Sequence, residues 1–331
     1  MTNFKIPLNN GEKAIKRNKS YYTAQELLNL EIKEIPMLWK PYIPKTGLVG
    51  LTGPSDTGKS TLLRQLAISI CQRNIEFLGK PLNVESANVV CISTEDGKEA
   101  VSASISKQLT GVDPKTVKNL KFIFNDGDPK EVLKNILKTE KVDLVIVDAW
   151  ADLYIGNTND VGQVRKSLNA LSRISEKYGC AIIILHHTVK NSEYHTPNKN
   201  RLNGSQGIEA KLRALIEVRQ GDNEERVLSI LKGNYIPGDK KHKSMILKFD
   251  EEKLLFHATG KEIEKNSILQ REGHSFMDDA ELAGLIVSLK RDDNLSFEKI
   301  RDRLVSERGE DAPSLTTIKN IYYRFAGQNA A

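Results

Sequence analysis

Apolar residues along this chain fall into short continuous runs separated by stretches of helical spacing. The runs are Gly47–Thr52, Asn88–Ser93, Leu120–Phe124, Val142–Val147 and Cys180–Leu185. Runs of this length bounded by turn residues predict strands buried on both faces. Between them, helical patterns occupy about 58–72, 98–109, 129–137 and 161–178. Strand alternating with helix predicts an α/β fold with a mostly parallel sheet covered by helices. Ahead of the first run, Tyr22–Leu30 predicts a short helix N-capped by Thr23. Ile35-Pro36, Lys40-Pro41 and Ile43-Pro44 predict an extended lead-in. Thr188–Asn203 is polar and aperiodic, a long loop. Glu209–Leu212 reads as helical, and Leu215–Arg219, Val227–Lys232 and Met245–Phe249 as strands of hairpins turning at 221–223 and 237–239. Composition turns polar around 259–275, where a boundary is expected. Beyond it, Leu282/Leu285/Ile286/Leu289, Ile300/Leu304 and Ile318/Ile321/Tyr322/Phe325 predict three short helices. The expected organisation is a flexible segment 1–21, an α/β domain 22–260 and an all-α module 275–331.

The first run leads into Gly53-Pro54-Ser55-Asp56-Thr57-Gly58-Lys59-Ser60, followed by Thr61. This fits the phosphate-cradling pattern G-x-x-x-x-G-K-[ST], and it sits between a strand and a helix, where that loop has to sit. Its backbone N–H groups and the helix dipole would converge on a phosphate. Lys59 would reach the β- and γ-phosphates and the Ser60 hydroxyl would ligate Mg²⁺. The pattern predicts ATP and Mg²⁺ as cofactors.

Composition narrows the setting. The chain is 39% hydrophobic and 28% charged, as a folded protein is. Ala181–Leu185, its longest aliphatic run, is too short to cross a bilayer, and the N-terminus has no stretch of signal-peptide length. Cys71, Cys91 and Cys180 are odd in number and two lie in strand runs, so free thiols in a reducing cytoplasm are expected. Net charge is +6, unevenly spread: residues 261–331 hold 11 Lys/Arg and 13 Asp/Glu, leaving +8 on 1–260. Any electrostatic footprint for nucleic acid falls on the α/β part.

A phosphate loop alone does not hydrolyse anything. Asp148 ends the run Leu144–Val147, where a carboxylate would hold Mg²⁺ together with Ser60. Glu95 follows the second strand and would orient or deprotonate the attacking water; Asp96 is its competitor and could instead cap the next helix. His186-His187 closes the fifth strand, at an edge that faces the ligand crevice in such sheets.

On these residues a resemblance emerges. Residues 22–260 resemble the RecA-like ATPases of the RepA-type hexameric helicase group, the AAA_25-like family. The resemblance is carried by Trp39–Gly47 leading into the loop, Phe77-Leu78-Gly79, Ser93–Asp96, Val147-Asp148, His186–Lys190, Gly204-Ser205 and Lys232–Tyr235. It implies a RecA-like P-loop NTPase core, a hexameric ring and ATP bound between subunits. In it Glu95 would be the catalytic carboxylate, Asp148 the Walker B acid and His187 the γ-phosphate sensor. Arg213 falls where the family places its arginine finger, and Lys232 is a second cation acting in trans. The loop 188–203 resembles the channel-facing loop of such motors, so Lys190, Lys199 and Arg201 would contact single-stranded DNA. The sequence itself shows only a basic polar loop.

The appended module departs from the RepA pattern. Leu295–Leu304 and Leu315–Phe325 suit a helix-turn-helix or winged-helix-like unit with Ser314 as N-cap, able to contact DNA or protein. The whole predicts a ring-forming, ATP-hydrolysing DNA helicase of a plasmid, phage or mobile element. The alternative is a nucleotide-gated regulatory or assembly ATPase without unwinding activity. A small-molecule kinase would need an acceptor pocket and lid, and the paired histidines and trans-acting cations argue against it.

Overall fold

The computed structural model describes residues 21–331 apart from 155, 159, 189–196, 200–201, 203–205, 222–223, 266–267, 269–278, 292, 309–311 and 327–331. The segment 1–21, expected to be flexible, lies outside the described residues except for Tyr21. The chain divides into two compact units, residues 1–270 and 271–331.

The first unit is built on strands β3 (Gly47–Thr52), β6 (Val89–Ser93), β7 (Leu120–Ile123), β8 (Leu144–Asp148) and β9 (Ala181–Leu185). With β10 (Ala214–Gln220) they form a parallel block in the order β10-β3-β9-β8-β6-β7. β11 (Glu225–Gly233), β12 (Lys243–Asp250) and β13 (Leu255–Glu264) add antiparallel strands beyond β10, completing nine. Alternate side chains divide between two cores. Val49, Leu51, Val89 and Cys91 face α2 (Lys59–Cys71) and the ribbon of β1 (Met37–Trp39) with β2 (Ile43–Pro44). Leu48, Val90, Ile92 and Val147 face α4 (Pro129–Thr139), α5 (Trp150–Leu153), α6 (Val161–Tyr178) and α7 (Gln206–Lys211). Burial on both faces is why the strands read as unbroken apolar runs rather than alternating ones.

Three features escape the sequence pattern. β1–β2 and the pair Glu76–Phe77 with Lys80–Pro81 (β4–β5) are two or three residues each, too short for periodicity. α5 is a single turn. β13 runs to Glu264, past residue 260 where the sequence suggested an end; exposed His257, Lys261 and Glu262 give this edge strand a linker's composition. Charged residues on an edge strand discourage pairing with another sheet.

The second unit packs α8 (Asp279–Arg291), α9 (Phe297–Arg308) and α10 (Leu315–Ala326) around Leu282, Ile286, Leu289, Ile300, Leu304 and Ile318, the spacings seen in the sequence. The Ser314 hydroxyl accepts from Thr317 N at 3.2 Å, capping α10. Among its described residues the unit has helices and no strand.

Candidate active site

The parallel strands end along one edge, and their last residues supply the site. β3 turns at Thr52 into the phosphate loop. Gly53 has φ +146°, and a Cβ there would lie 2.1 Å from the Val218 carbonyl oxygen on β10. Gly58 caps α2 in the left-handed region, with Phe256 packed where its Cβ would be. Both positions therefore require glycine. Gly53→Ala meets backbone, which has no side chain to swing aside. The expected outcome is a loss on the order of 1–3 kcal/mol, read as a lower midpoint in chemical denaturation, together with loss of nucleotide binding in calorimetry.

Lys59 is 6% exposed and its ammonium donates to the Pro54 carbonyl. Burial depresses its pKa, while Asp148, Glu95 and Asp56 pull it back up. A buried cation at the first position of a helix is disposed toward phosphate oxygens. Pro54 and Thr57 close the loop through the Thr57 hydroxyl, which donates to Pro54 O at 3.0 Å. Ser55 and Asp56 are exposed at the loop tip, and Thr61 lies in the first turn of α2.

β8 and β6 are in register at Ser93 and Asp148, so their ends place Asp148 beside the Thr94–Asp96 turn. The Asp148 carboxylate accepts a hydrogen bond from Ser60, while its Oδ1 is buried with no hydrogen-bond partner. A buried, unpartnered anionic oxygen next to a serine hydroxyl suits a hard cation with oxygen ligands, and Mg²⁺ fits. Burial raises the Asp148 pKa, the Ser60 hydrogen bond opposes that rise, and the Glu95 charge adds to it. With a folded pKa above the unfolded value, the ionised group weakens the fold. The loss is absent below the unfolded pKa and complete above the folded one. Asp148→Asn is therefore expected to raise the unfolding temperature of the nucleotide-free protein at neutral pH. The gain fades toward the ordinary Asp value of 3.8, and Mg²⁺-dependent stabilisation by ATP disappears; thermal scans across pH check all three.

Glu95 and His187, 92 residues apart, meet here: His187 Nε2 lies 3.3 Å from Glu95 Oε1, both partly exposed. The adjacent histidines separate. His186 is buried with its ring 6.0 Å from Trp150, while His187 turns to the site. The turn bearing Glu95 is fixed from several sides. Thr94 N donates to Asp148 O at 2.7 Å, the Thr94 hydroxyl to Asp152 Oδ2 at 2.7 Å, and Ala149 N to the Thr94 hydroxyl at 2.9 Å. Asp96 pairs with buried Arg64 of α2 at 3.3 Å, which separates its role from that of Glu95. Neither Thr94 nor Arg64 was singled out by sequence; their use depends on contacts 54 and 32 residues away.

Arg213 is elsewhere. It precedes β10, donates its N–H to Leu48 O at 2.7 Å, and runs its side chain over Gly47, whose added Cβ would lie 2.9 Å from Arg213 Cγ. Gly47 and Gly53 are six residues apart along an extended strand, about 20 Å, so Arg213 cannot reach the phosphate loop of its own chain. Lys232 pairs across from Leu215, and its amine donates to Glu209 O at 2.7 Å and lies 3.3 Å from Glu209 Oε1. Lys199 joins the same carboxylate at 3.3 Å. Burial opposes ionisation of Glu209, but Lys232 and Lys199 outweigh it and hold the carboxyl below its ordinary range. The loop 188–203 is pinched where Thr188 bridges Leu202. Lys190 and Arg201 lie outside the described residues, as do Gly204 and Ser205. Cys71, Cys91 and Cys180 are buried thiols outside any disulfide. Among the described residues no group of three or more His, Cys, Asp or Glu is placed to hold a metal, and no helix is long and apolar enough to cross a membrane.

No curated protein sequence matches the chain. Among solved structures, an ATPase domain superposes with a TM-score of 0.51 at 13% identity, covering 71% of this chain and 95% of that one. At that identity the likeness establishes the fold, a RecA-like core with its phosphate loop at the parallel strand ends. The AAA_25 model of the AAA domain matches residues 17–193, a segment that begins ahead of the first helix and ends beyond His187. This is more than half of the 331 residues, and the chain belongs to the AAA_25 family of P-loop ATPases.

Proposed function

We propose that the protein is a Mg²⁺-dependent, ring-forming ATPase that moves on single-stranded DNA as a helicase of a plasmid, phage or mobile element. One observation carries this reading. Lys59, Ser60, Asp148, Glu95 and His187 gather at one edge of the sheet, while Arg213 is about 20 Å away along the strand. A chain with its phosphate loop at one edge of the sheet and exposed Arg213 at the other is suited to completing the site of the next copy. Head-to-tail contact of this kind closes into a ring where its rotation closes, and the proposed assembly is that ring rather than an open filament.

In this mechanism the loop N–H groups and Lys59 bind the triphosphate. Mg²⁺, held by Ser60 and Asp148, would neutralise charge on the β- and γ-oxygens. Glu95 orients the attacking water and accepts its proton. His187, in contact with Glu95, registers the γ-phosphate and passes its loss to the loop 188–203, where Lys190, Lys199 and Arg201 meet the DNA backbone. The neighbour's Arg213, with Lys232 beside it, stabilises charge developing on the transferred phosphoryl group. The C-terminal unit contacts protein or DNA.

Lys59→Ala is expected to abolish hydrolysis; turnover at the wild-type rate would overturn the assignment of the site. Single-stranded DNA is expected to stimulate turnover, and a forked duplex to be unwound. Hydrolysis without stimulation or strand displacement would favour a nucleotide-gated regulator.

A further inference from the structure

Both ends of the phosphate loop rest on strands that come late in the chain. Gly53 packs on the Val218 carbonyl of β10, and Gly58 on the ring of Phe256 in β13. A Cβ on Gly58 would lie 2.8 Å from Phe256 Cζ, and 3.5 and 3.8 Å from the two Cε atoms. The near-equal Cε distances mean that the ring meets Gly58 end-on, with its para carbon foremost. Phe256 is 1% exposed and its ring centroid is 4.7 Å from that of Phe249. The ring is thus wedged between the loop and its own hairpin.

Two glutamines tie the same hairpin to α2. β13 is an edge strand of the sheet, so one side of its backbone faces no partner strand. At Phe256 the Gln65 side chain takes that place. Gln65 Nε2 donates to Phe256 O at 2.9 Å, and Phe256 N donates to Gln65 Oε1 at 2.8 Å. A pair with one donor and one acceptor on each side is directional and fixes where the ring sits along α2. Unlike α1 (Ala24–Leu28), which buries no residue, α3 (Lys98–Gln108) ends on a buried side chain. Gln108 Nε2 donates at 3.0 Å both to Thr61 O, in the first turn of α2, and to Leu254 O, in the turn between β12 and β13. The hairpin lies beyond residue 193, where the family match ends.

We propose that Phe256, Gln65 and Gln108 are positioning residues: through them the β12–β13 hairpin holds the phosphate loop in its binding conformation before nucleotide arrives. The inference rests on the reading of residues 53–60 as a triphosphate site. Gly58 stands in the left-handed region at φ +84°, and the N–H groups of Lys59 and Ser60 follow it. Glycine reaches many other conformations readily. A ring set end-on against Gly58 removes those in which the loop falls back toward the hairpin. Nucleotide then binds a loop that is already ordered, and affinity is not reduced by the ordering. These three residues touch neither the attacking water nor the transferred phosphoryl group, so they act on binding and not on the chemical step.

Calorimetry with ATP and ADP on the full chain, paired with thermal unfolding of the nucleotide-free protein, tests it. Phe256→Leu withdraws the ring from Gly58. It is expected to raise Kd for both nucleotides about tenfold, as for a loop in its binding conformation about one-tenth of the time. KM for ATP should rise with it, while kcat at saturation stays near the wild-type value because bound nucleotide then orders the loop. Phe256→Tyr keeps the ring and adds an oxygen on the carbon that faces Gly58, and it should weaken binding at least as much. Gln65→Met removes both hydrogen bonds with little change in side-chain volume and should also raise Kd. Phe77→Leu is the control: the same substitution in the same core, on a ring packed against Trp39 rather than the loop. It should lower the unfolding temperature and leave nucleotide affinity unchanged. Wild-type affinity in folded Phe256→Leu and Phe256→Tyr would overturn the inference. An equal loss of affinity in Phe77→Leu would do so too, since the effect would then be one of general stability, and so would a fall in kcat with KM unchanged. Should Phe256→Leu fail to fold, Gln65→Met decides by the same readings. A wild type that takes up neither nucleotide would remove the triphosphate site and this inference with it, whereas uptake that no variant alters would remove this inference alone.

Discussion

Arg213→Ala is expected to reduce ATP turnover on the order of 10³-fold while ATP binding changes little. The size follows from what a cation does on the open side of a phosphate site. Charge spreads over the γ-phosphoryl oxygens in the transition state, and a guanidinium there acts where water is scarce. Binding is spared because the loop N–H groups and Lys59 hold the nucleotide within one copy. The stronger test uses mixtures. Arg213→Ala has a sound phosphate loop and no cation to give, whereas Lys59→Ala has the cation and no usable loop. Either variant alone should be inactive. Mixed in equal amounts and allowed to exchange, about one site in four pairs a wild-type loop with a wild-type Arg213, and activity should reappear near that fraction. No recovery in mixtures shown by mass to contain both chains would overturn the shared site. Normal turnover by Arg213→Ala as a monomer would do so directly. Lys232→Ala has a smaller expected effect in this assay, because its amine is already engaged by Glu209.

Glu95→Gln should lower turnover by 10²–10⁴, on the order expected for loss of a general base, with nucleotide affinity retained. Gln keeps the shape and the His187 contact but cannot take a proton. Single-turnover measurements with pre-bound ATP should show the loss in the chemical step. An equal fall in affinity would mean instead that Glu95 helps to hold the nucleotide. Thr94→Val tests the support beneath it. The side-chain hydroxyl tying the turn to Ala149 and Asp152 is lost, while the backbone bond from Thr94 N to Asp148 O remains. The expected result is a fall in kcat of about tenfold with KM for ATP near the wild-type value, recovered by Thr94→Ser.

Much of this was legible in the chain. The central parallel strands β3, β6, β8 and β9 showed because each is buried on both faces and so forms an almost unbroken apolar run. The phosphate loop showed because close approach to a phosphate dictates glycine, lysine and hydroxyl at fixed spacing. Asp148 and Glu95 stood out as carboxylates at strand ends. The short ribbons β1–β2 and β4–β5 did not, because two or three residues cannot display a period. β13 did not, because an edge strand with charged exposed positions looks like a linker. Thr94 and Arg64 carried no local signal at all, since their roles are set by partners far along the chain.

By itself, then, the sequence determined the alternation of strand and helix, the phosphate loop and the residue types fit for ATP chemistry, because burial and phosphate contact each impose a local pattern. Only the tertiary structure decided which histidine faces Glu95, that Asp148 keeps a buried oxygen free beside Ser60, and that Arg213 stands a strand's length from its own loop. Those outcomes depend on register between strands and on distances through space, which no local pattern encodes.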